Sequence, residues 1–179
     1  KLDEILTPVS GKLCTPFDGY HMVPSNLASK DFITVLLNKD KDGKMSGGAG
    51  THGFNVGNEG KYLIENERTG YSLRTDGKEF CCYGKVFRIN EELVSPEYLV
   101  YFLTNDSLLS RKGMTISNSL GRKVVIDSKE KQGQIVSKLL QQYDEQTRVE
   151  READDRRLGI KRNISDLEHM LGSTQLRIE

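Results

Sequence analysis

Histidine is the side chain best suited to proton transfer near neutral pH, and the three here, His21, His52 and His169, fall in separate regions of the chain. No His-Glu-x-x-His run, zinc-ligand spacing or glycine-flanked serine after a buried strand occurs, so the sequence points to no catalysis of its own and to neither metal nor cofactor. Cys14, Cys81 and Cys82 lack Cys-x-x-Cys spacing. Adjacent strand residues face opposite ways, so Cys81 and Cys82 are expected to be separate buried or half-buried thiols in a reducing compartment. The most unusual stretch is Lys39-Asp40-Lys41-Asp42-Gly43-Lys44-Met45-Ser46-Gly47-Gly48-Ala49-Gly50-Thr51-His52-Gly53, which is glycine-rich, polar and aperiodic. A long loop of this kind within a compact domain is functional or disordered, and the functional reading is favoured here. Gly43-Lys44 lacks the spacing of a nucleotide-binding loop, which leaves a nest of backbone amides for phosphate as its anion chemistry. Lys39, Lys41 and Lys44 alternate with Asp40 and Asp42, so they do not form a purely basic patch.

Composition bounds the elements that could position such groups. The chain has 179 residues, enough for one cored domain and an extended element, with formal net charge zero. The balance holds in 1–127 and in 128–179 separately, so nucleic-acid binding by bulk phosphate neutralisation is not expected. No apolar run is long enough to span a bilayer and no signal segment opens the chain, which points to a soluble, cytoplasmic protein with no membrane partner. It opens on Lys1 rather than methionine, as a piece cut from a longer chain would.

Residues 1–9 are expected to form a short amphipathic turn or strand ending at Pro8, Gly19 to Pro24 a brief strand, and Asp31 to Asn38 a stronger one rich in β-branched residues. Lys61–Glu65 and Tyr71–Arg74 read as strands joined by a turn, and Asp76-Gly77 signals a hairpin whose return strand runs from Glu79 to Tyr83 and on through Ile89. Ser95-Pro96-Glu97 is a strong helix start, with Leu99, Phe102 and Leu103 as the buried face. A second short helix is expected over Asp106 to Lys112, then a loop from Thr115 to Gly121 and a last strand, Lys123–Ile126. Together these predict an α+β domain on a curved, mostly antiparallel sheet with short helices.

From Ser128 to Leu171 there is no proline, Ser128 can cap the first turn, and apolar residues recur every three or four positions. One long C-terminal coiled-coil helix is expected, roughly 65 Å in length. Ile135, Leu139, Val149, Ala153, Ile160, Leu167 and Met170 fall on its seam. Gln142, Gln146, Arg156 and Asn163 are polar positions that would set register or partner choice. So long a helix cannot bury its seam alone and needs a partner. The division is 1–127 for the globular domain and 128–179 for a helical spacer or dimerisation arm.

These elements carry motifs that resemble the specificity subunit of type I restriction-modification systems, specifically one target-recognition domain with its following conserved helix. Gly60-Lys61-Tyr62-Leu63-Ile64 with Asn66 and Gly70 is similar to that family's strand and turn, with Lys61 where an acid is usual. Val86-Phe87-Arg88-Ile89-Asn90 and Ser95-Pro96-Glu97-Tyr98-Leu99-Val100-Tyr101-Phe102-Leu103 resemble its strand and following helix. Ser117 to Leu120 stands at its short serine-containing loop, without the usual preceding glycine. Val124-Val125-Ile126-Asp127-Ser128-Lys129-Glu130-Lys131-Gln132 with Ile135-Val136 resembles the start of its conserved helix, with Asp127 where proline is customary. The matches cover most of 60–140.

The resemblance implies a non-catalytic module that reads a short double-stranded DNA sequence and docks an adenine methyltransferase subunit through the helix. Methylation would belong to that partner, since the Asn-Pro-Pro-Tyr/Phe signature is absent here. Complete subunits of this family carry two recognition domains and two helices. This chain has one of each, as expected of a half-subunit that pairs with a second copy of itself or with another recognition domain, or of a fragment. Polar side chains on loops suit base edges and phosphates, and the candidates are Lys41, Lys44, Ser46, Thr51, His52 and Asn55 in the long loop, with Arg68 and Arg74. The ordinary alternative is solvation for the lysines and an ion pair with Glu65 or Glu67 for the two arginines. Partner or dimer contacts are expected from Ile135, Leu139, Gln142, Gln146, Val149, Ala153, Ile160 and Leu167. Two rival functions remain: the recognition domain of a fused N6-adenine methyltransferase, and a coiled-coil adaptor that binds protein only.

Overall fold

A computed structural model describes residues 1–14, 21–43, 53–56, 60–109 and 114–175. Its elements are α1 (Leu2–Ile5), β1 (Leu6–Val9), β2 (Lys12–Cys14), β3 (His21–Val23), a 3-10 turn (Ser25–Leu27), α2 (Phe32–Leu37), β4 (Gly53–Val56), β5 (Tyr62–Asn66), β6 (Gly70–Arg74), β7 (Phe80–Cys82), β8 (Lys85–Ile89), α3 (Pro96–Asn105), α4 (Ile116–Ser119) and α5 (Lys129–Gln175). The fold is α+β with a long C-terminal helix, as the sequence predicts. One sheet runs β1-β8-β5-β6 and is antiparallel throughout; the other runs β2-β4-β7-β3, with only β3 and β7 parallel.

Strand alternation makes the core. Tyr62, Ile64 and Val86 of the first sheet pack with Val23, Phe80 and Cys82 of the second, and Tyr62 meets Phe80 edge-on at 5.6 Å between ring centres. Cys81 faces the other way beside Met22. Cys82 is a buried free thiol, but Cys81 is disulfide-bonded, which corrects the expectation of reduced thiols throughout.

Several expected elements differ, each for a local reason. Residues 31–38 form helix α2 rather than a strand. Asp31 accepts the Thr34 backbone N–H at 2.8 Å as an N-cap, and Phe32 and Val35, one turn apart, are the buried pair. Capping and tertiary burial outweigh the β-branched composition. Pro8 lies inside β1, where an edge position tolerates its missing N–H. The turn after β6 forms, with Gly77 at φ +70°, but β7 does not return along β6. The outer edge of β6 is already taken: Ser29 and Tyr71 exchange backbone hydrogen bonds, and Asp40 N–H donates to Leu73 C=O. Gly70, at φ +106°, permits that approach, since a Cβ there would lie 2.4 Å from Ser29 O. Ser107–Leu109 form a turn, residues 110–113 lie outside the described set, and Thr115 caps the short helix α4 where a loop was expected. Residues 123–126 join no sheet. The preceding Leu120 and Arg122 carbonyls instead accept the Asp3 and Leu2 N–H groups at the start of α1.

Helix α5 is continuous over 47 residues, about 70 Å by the standard helical rise. The chain divides into two compact units, Lys1–Ser137 and Lys138–Glu179, so the opening turns of α5 belong to the first unit. Gln132, fully buried, accepts the Ser95 N–H at 2.8 Å and donates to the Leu93 and Asp127 carbonyls at 3.0 and 2.8 Å. Tyr98 O–H donates to the Asp127 carboxylate at 2.6 Å. Among the described residues, no helix is long and apolar enough to cross a membrane.

Candidate nucleic-acid interface

Of the residues proposed for the long loop, Lys44, Ser46, Thr51 and His52 lie outside the described set, and Asn55 is a β4 position opposite Lys12 and Cys81. Lys41 is exposed, its ammonium donating to Asn38 Oδ1 at 3.3 Å. Arg68 is exposed at the turn after β5, over an open depression of about 480 Å³ that Glu65, Tyr83 and Lys85 also line. Neither acid expected to pair with it does so: Glu67 pairs with Lys85 at 2.8 Å, and Glu65 accepts the Ile116 N–H at 2.7 Å.

Arg74 is a correction. Only 2% exposed, it is out of reach of a ligand. Its guanidinium contacts Asp42 Oδ1 at 2.6 Å and Asp76 Oδ2 at 3.3 Å and lies over the Phe80 ring, and its Nε is buried without a partner. As the last residue of β6 it points between the two sheets, where an unpaired charge would be costly.

Around it the foot of the long loop is held by several contacts. Asp40, at φ +59°, accepts the Thr75 N–H, the Thr75 hydroxyl and the Asp76 N–H at 2.5, 2.8 and 3.2 Å. Asp42 receives Arg74 on one oxygen and His21 Nδ1 on the other, both at 2.6 Å. Gly43 N–H donates to Met22 C=O at 2.9 Å, and a Cβ at Gly43 would stand 2.4 Å from Pro24 Cγ. By sequence alone the Lys-Asp-Lys-Asp alternation reads only as diluted basicity. The acids in fact turn inward to Arg74 and Thr75, while Lys39 pairs with Glu97 at 3.2 Å on helix α3. Asp40, Asp42 and His21 are thus the residues that reading missed; only the alternation hinted at two sides.

Glu65 lies beneath α4 with Oε2 buried and unpartnered. Burial pushes its carboxyl above the ordinary 4.5, against the pull of the Ile116 N–H. The folded-state value therefore exceeds the unfolded one. No stability is lost below the unfolded value, and stability falls as pH rises through the window above 4.5 in which the folded protein holds the proton longer. Glu65→Gln keeps an acceptor for Ile116 and should raise the melting temperature relative to the parent at pH 7, with no difference near about pH 4. A fall at pH 7 would show that the ionised carboxylate is needed.

Along α5, Ile135 and Leu139 are half-buried, whereas Gln142, Gln146, Val149, Ala153, Ile160 and Leu167 are exposed. Gln146 donates to Glu150 at 2.9 Å within the helix. Ile164 and Leu171 were not in the expected seam, yet with Ile160 and Leu167 they complete a 4-3-4 spacing of exposed apolar residues. The heptad rule applied from Ile160 onward would have found both. No family model matches this chain, and no curated protein is significantly similar to it.

Proposed function

We propose that this chain is a DNA specificity module, half of a type I restriction-modification specificity subunit, which reads a short duplex sequence through its head and docks an adenine methyltransferase through helix α5. The observation that carries the reading is how the resembling motifs meet. Ser95 and Tyr98, from the motif on α3, are joined to Gln132 and Asp127, from the motif at the start of α5, by two hydrogen bonds of 2.8 and 2.6 Å, and the buried Gln132 amide also donates to the Asp127 carbonyl of its own motif at 2.8 Å. Motifs that are weak one at a time thus form one unit with a mechanical role, fixing how the long helix begins. The exposed seam at Ile160, Ile164, Leu167 and Leu171 supports the docking role, because apolar residues at coiled-coil spacing are stable in water only when covered. In this reading the protein acts in the cytoplasm on cellular DNA, where the Cys81 disulfide would be open to reduction.

The adaptor alternative draws on charge: among the described residues Lys39, Lys78 and Lys85 are paired with acids and Arg74 is buried. Affinity purification from the source cells, with the captured proteins identified by mass spectrometry, separates the readings. A methyltransferase bearing the Asn-Pro-Pro-Tyr/Phe signature, with duplex affinity falling by a log–log salt slope of about 0.9 per phosphate contacted, is the expected result. Unrelated proteins and no salt-sensitive duplex binding would establish the adaptor instead.

A further inference from the structure

His21 opens strand β3, the edge of the second sheet, with its side chain about half exposed at 47%. Its ring is not free to turn. Nδ1 is 2.6 Å from Asp42 Oδ2, and Asp42 is itself fixed through its other oxygen by the buried Arg74. Arg74 is held in turn by Asp76 and the Phe80 ring, and Phe80 is the residue paired with His21 across the β3–β7 ladder. One residue after Asp42, Gly43 bonds to Met22, the neighbour of His21, and the chain then continues into the glycine-rich loop. Since Nδ1–H donates to Asp42, the other nitrogen, Nε2, lies on the ring edge away from that carboxylate.

The protonation state decides what such a nitrogen can do. In the neutral ring Nε2 only accepts a hydrogen bond; in the imidazolium it donates one and carries charge. Among the described residues, the charged groups of this cluster are Asp42 on the loop after α2, Arg74 on β6, Asp76 with Lys78 on the turn before β7, and Asp40, which accepts from Thr75 and the Asp76 N–H. Arg74 offsets Asp42, and Lys78, at 3.7 Å, faces Asp76. Proton uptake by His21 therefore adds a cation beside Asp42, at the foot of the loop read here as facing DNA.

We propose that His21 contacts a backbone phosphate of duplex DNA as an oriented imidazolium, with Asp42 as its positioning residue, and that binding takes up one proton from solvent onto Nε2. The inference rests on the DNA-reading proposal and adds a residue and a proton to it. The balance is simple: solvent supplies H⁺, Nε2 binds it, and Nε2–H donates to a phosphate oxygen with no bond to phosphorus altered. This also gives Arg74 a place in recognition, two contacts behind the phosphate.

The test uses the full chain and a fluorescent mixed-sequence duplex, with affinity followed by anisotropy at low salt for wild type, His21→Gln and Asp42→Asn. Wild type should tighten by about tenfold from about pH 8 to about pH 6. His21→Gln should lose most of the tightening and show a salt slope smaller by about 0.9 at the lower pH, the loss of one phosphate contact. Asp42→Asn should bring the lower-pH affinity toward that of His21→Gln, because the ring loses the carboxylate that orients it; thermal melts confirm that each variant is folded. If wild type binds duplex and His21→Gln keeps both the full pH response and the salt slope, the role of His21 is overturned while DNA reading stands. If wild type binds no duplex at any of these pH values, the DNA reading falls and this inference with it.

Discussion

Arg74→Ala is expected to lower the free energy of unfolding by about 3 kcal/mol, read from the urea midpoint followed by circular dichroism. Arg74 is 2% exposed, and its guanidinium is ion-paired with Asp42. Truncation leaves Asp42 and Asp76 without their guanidinium and opens a void beside Phe80. The effect belongs to the cost of stranding charges rather than to a favourable ion pair, so Arg74→Lys, which keeps the charge but not the fork, should fall between. Arg68→Ala is the matched control. Arg68 is exposed, and its loss should move stability by no more than about 0.5 kcal/mol. Equal effects at the two arginines would show that the Asp42–Arg74–Asp76 cluster does not hold the sheets.

The second large effect concerns helix α5. Replacing Ile160, Ile164 and Leu167 together by glutamate should cut recovery of the bound partner by more than about tenfold, since each change would place a charge where a partner seam needs an apolar surface. These residues are 50–59% exposed, so the change removes no internal packing, and urea unfolding of the head should stay as in the parent. Undiminished recovery would mean that the partner is held elsewhere. Ile135→Glu is a different experiment, because Ile135 is half-buried within the compact unit ending at Ser137, and its effect would mix docking with stability.

The long helix was legible because its signal is local: a serine cap, no proline, and repeating apolar spacing. Helix α3 was legible for the same reason, from Ser95-Pro96-Glu97. Residues 31–38 misled because Ile33, Thr34 and Val35 favour a strand, whereas Asp31 as a cap and the burial of Phe32 and Val35 decide for a helix. The fate of β7 was not readable from the Asp76-Gly77 turn, since what diverts it is the occupation of the β6 edge by Ser29 and Asp40, more than thirty residues away in sequence. The site followed the same rule. Arg74 looks like any strand-end arginine until Asp42 is brought to it, and no local pattern announces that pairing. His21 has no partner close to it in sequence, and the one it meets, Asp42, comes from the far side of helix α2.

Strand β1 pairs with β8, Leu6 opposite Ile89, and the α1 N–H groups of Leu2 and Asp3 find their acceptors at Arg122 and Leu120. A ribosome adding about 5–20 residues per second leaves Leu6 on the order of ten seconds without the strand that covers it. Through that interval Leu2, Ile5 and Leu6, all buried in the finished protein, are exposed to chaperones and proteases. The Leu2–Leu6 end of the head is thus closed only once residues 85–89 and 120–122, made well after it, have emerged.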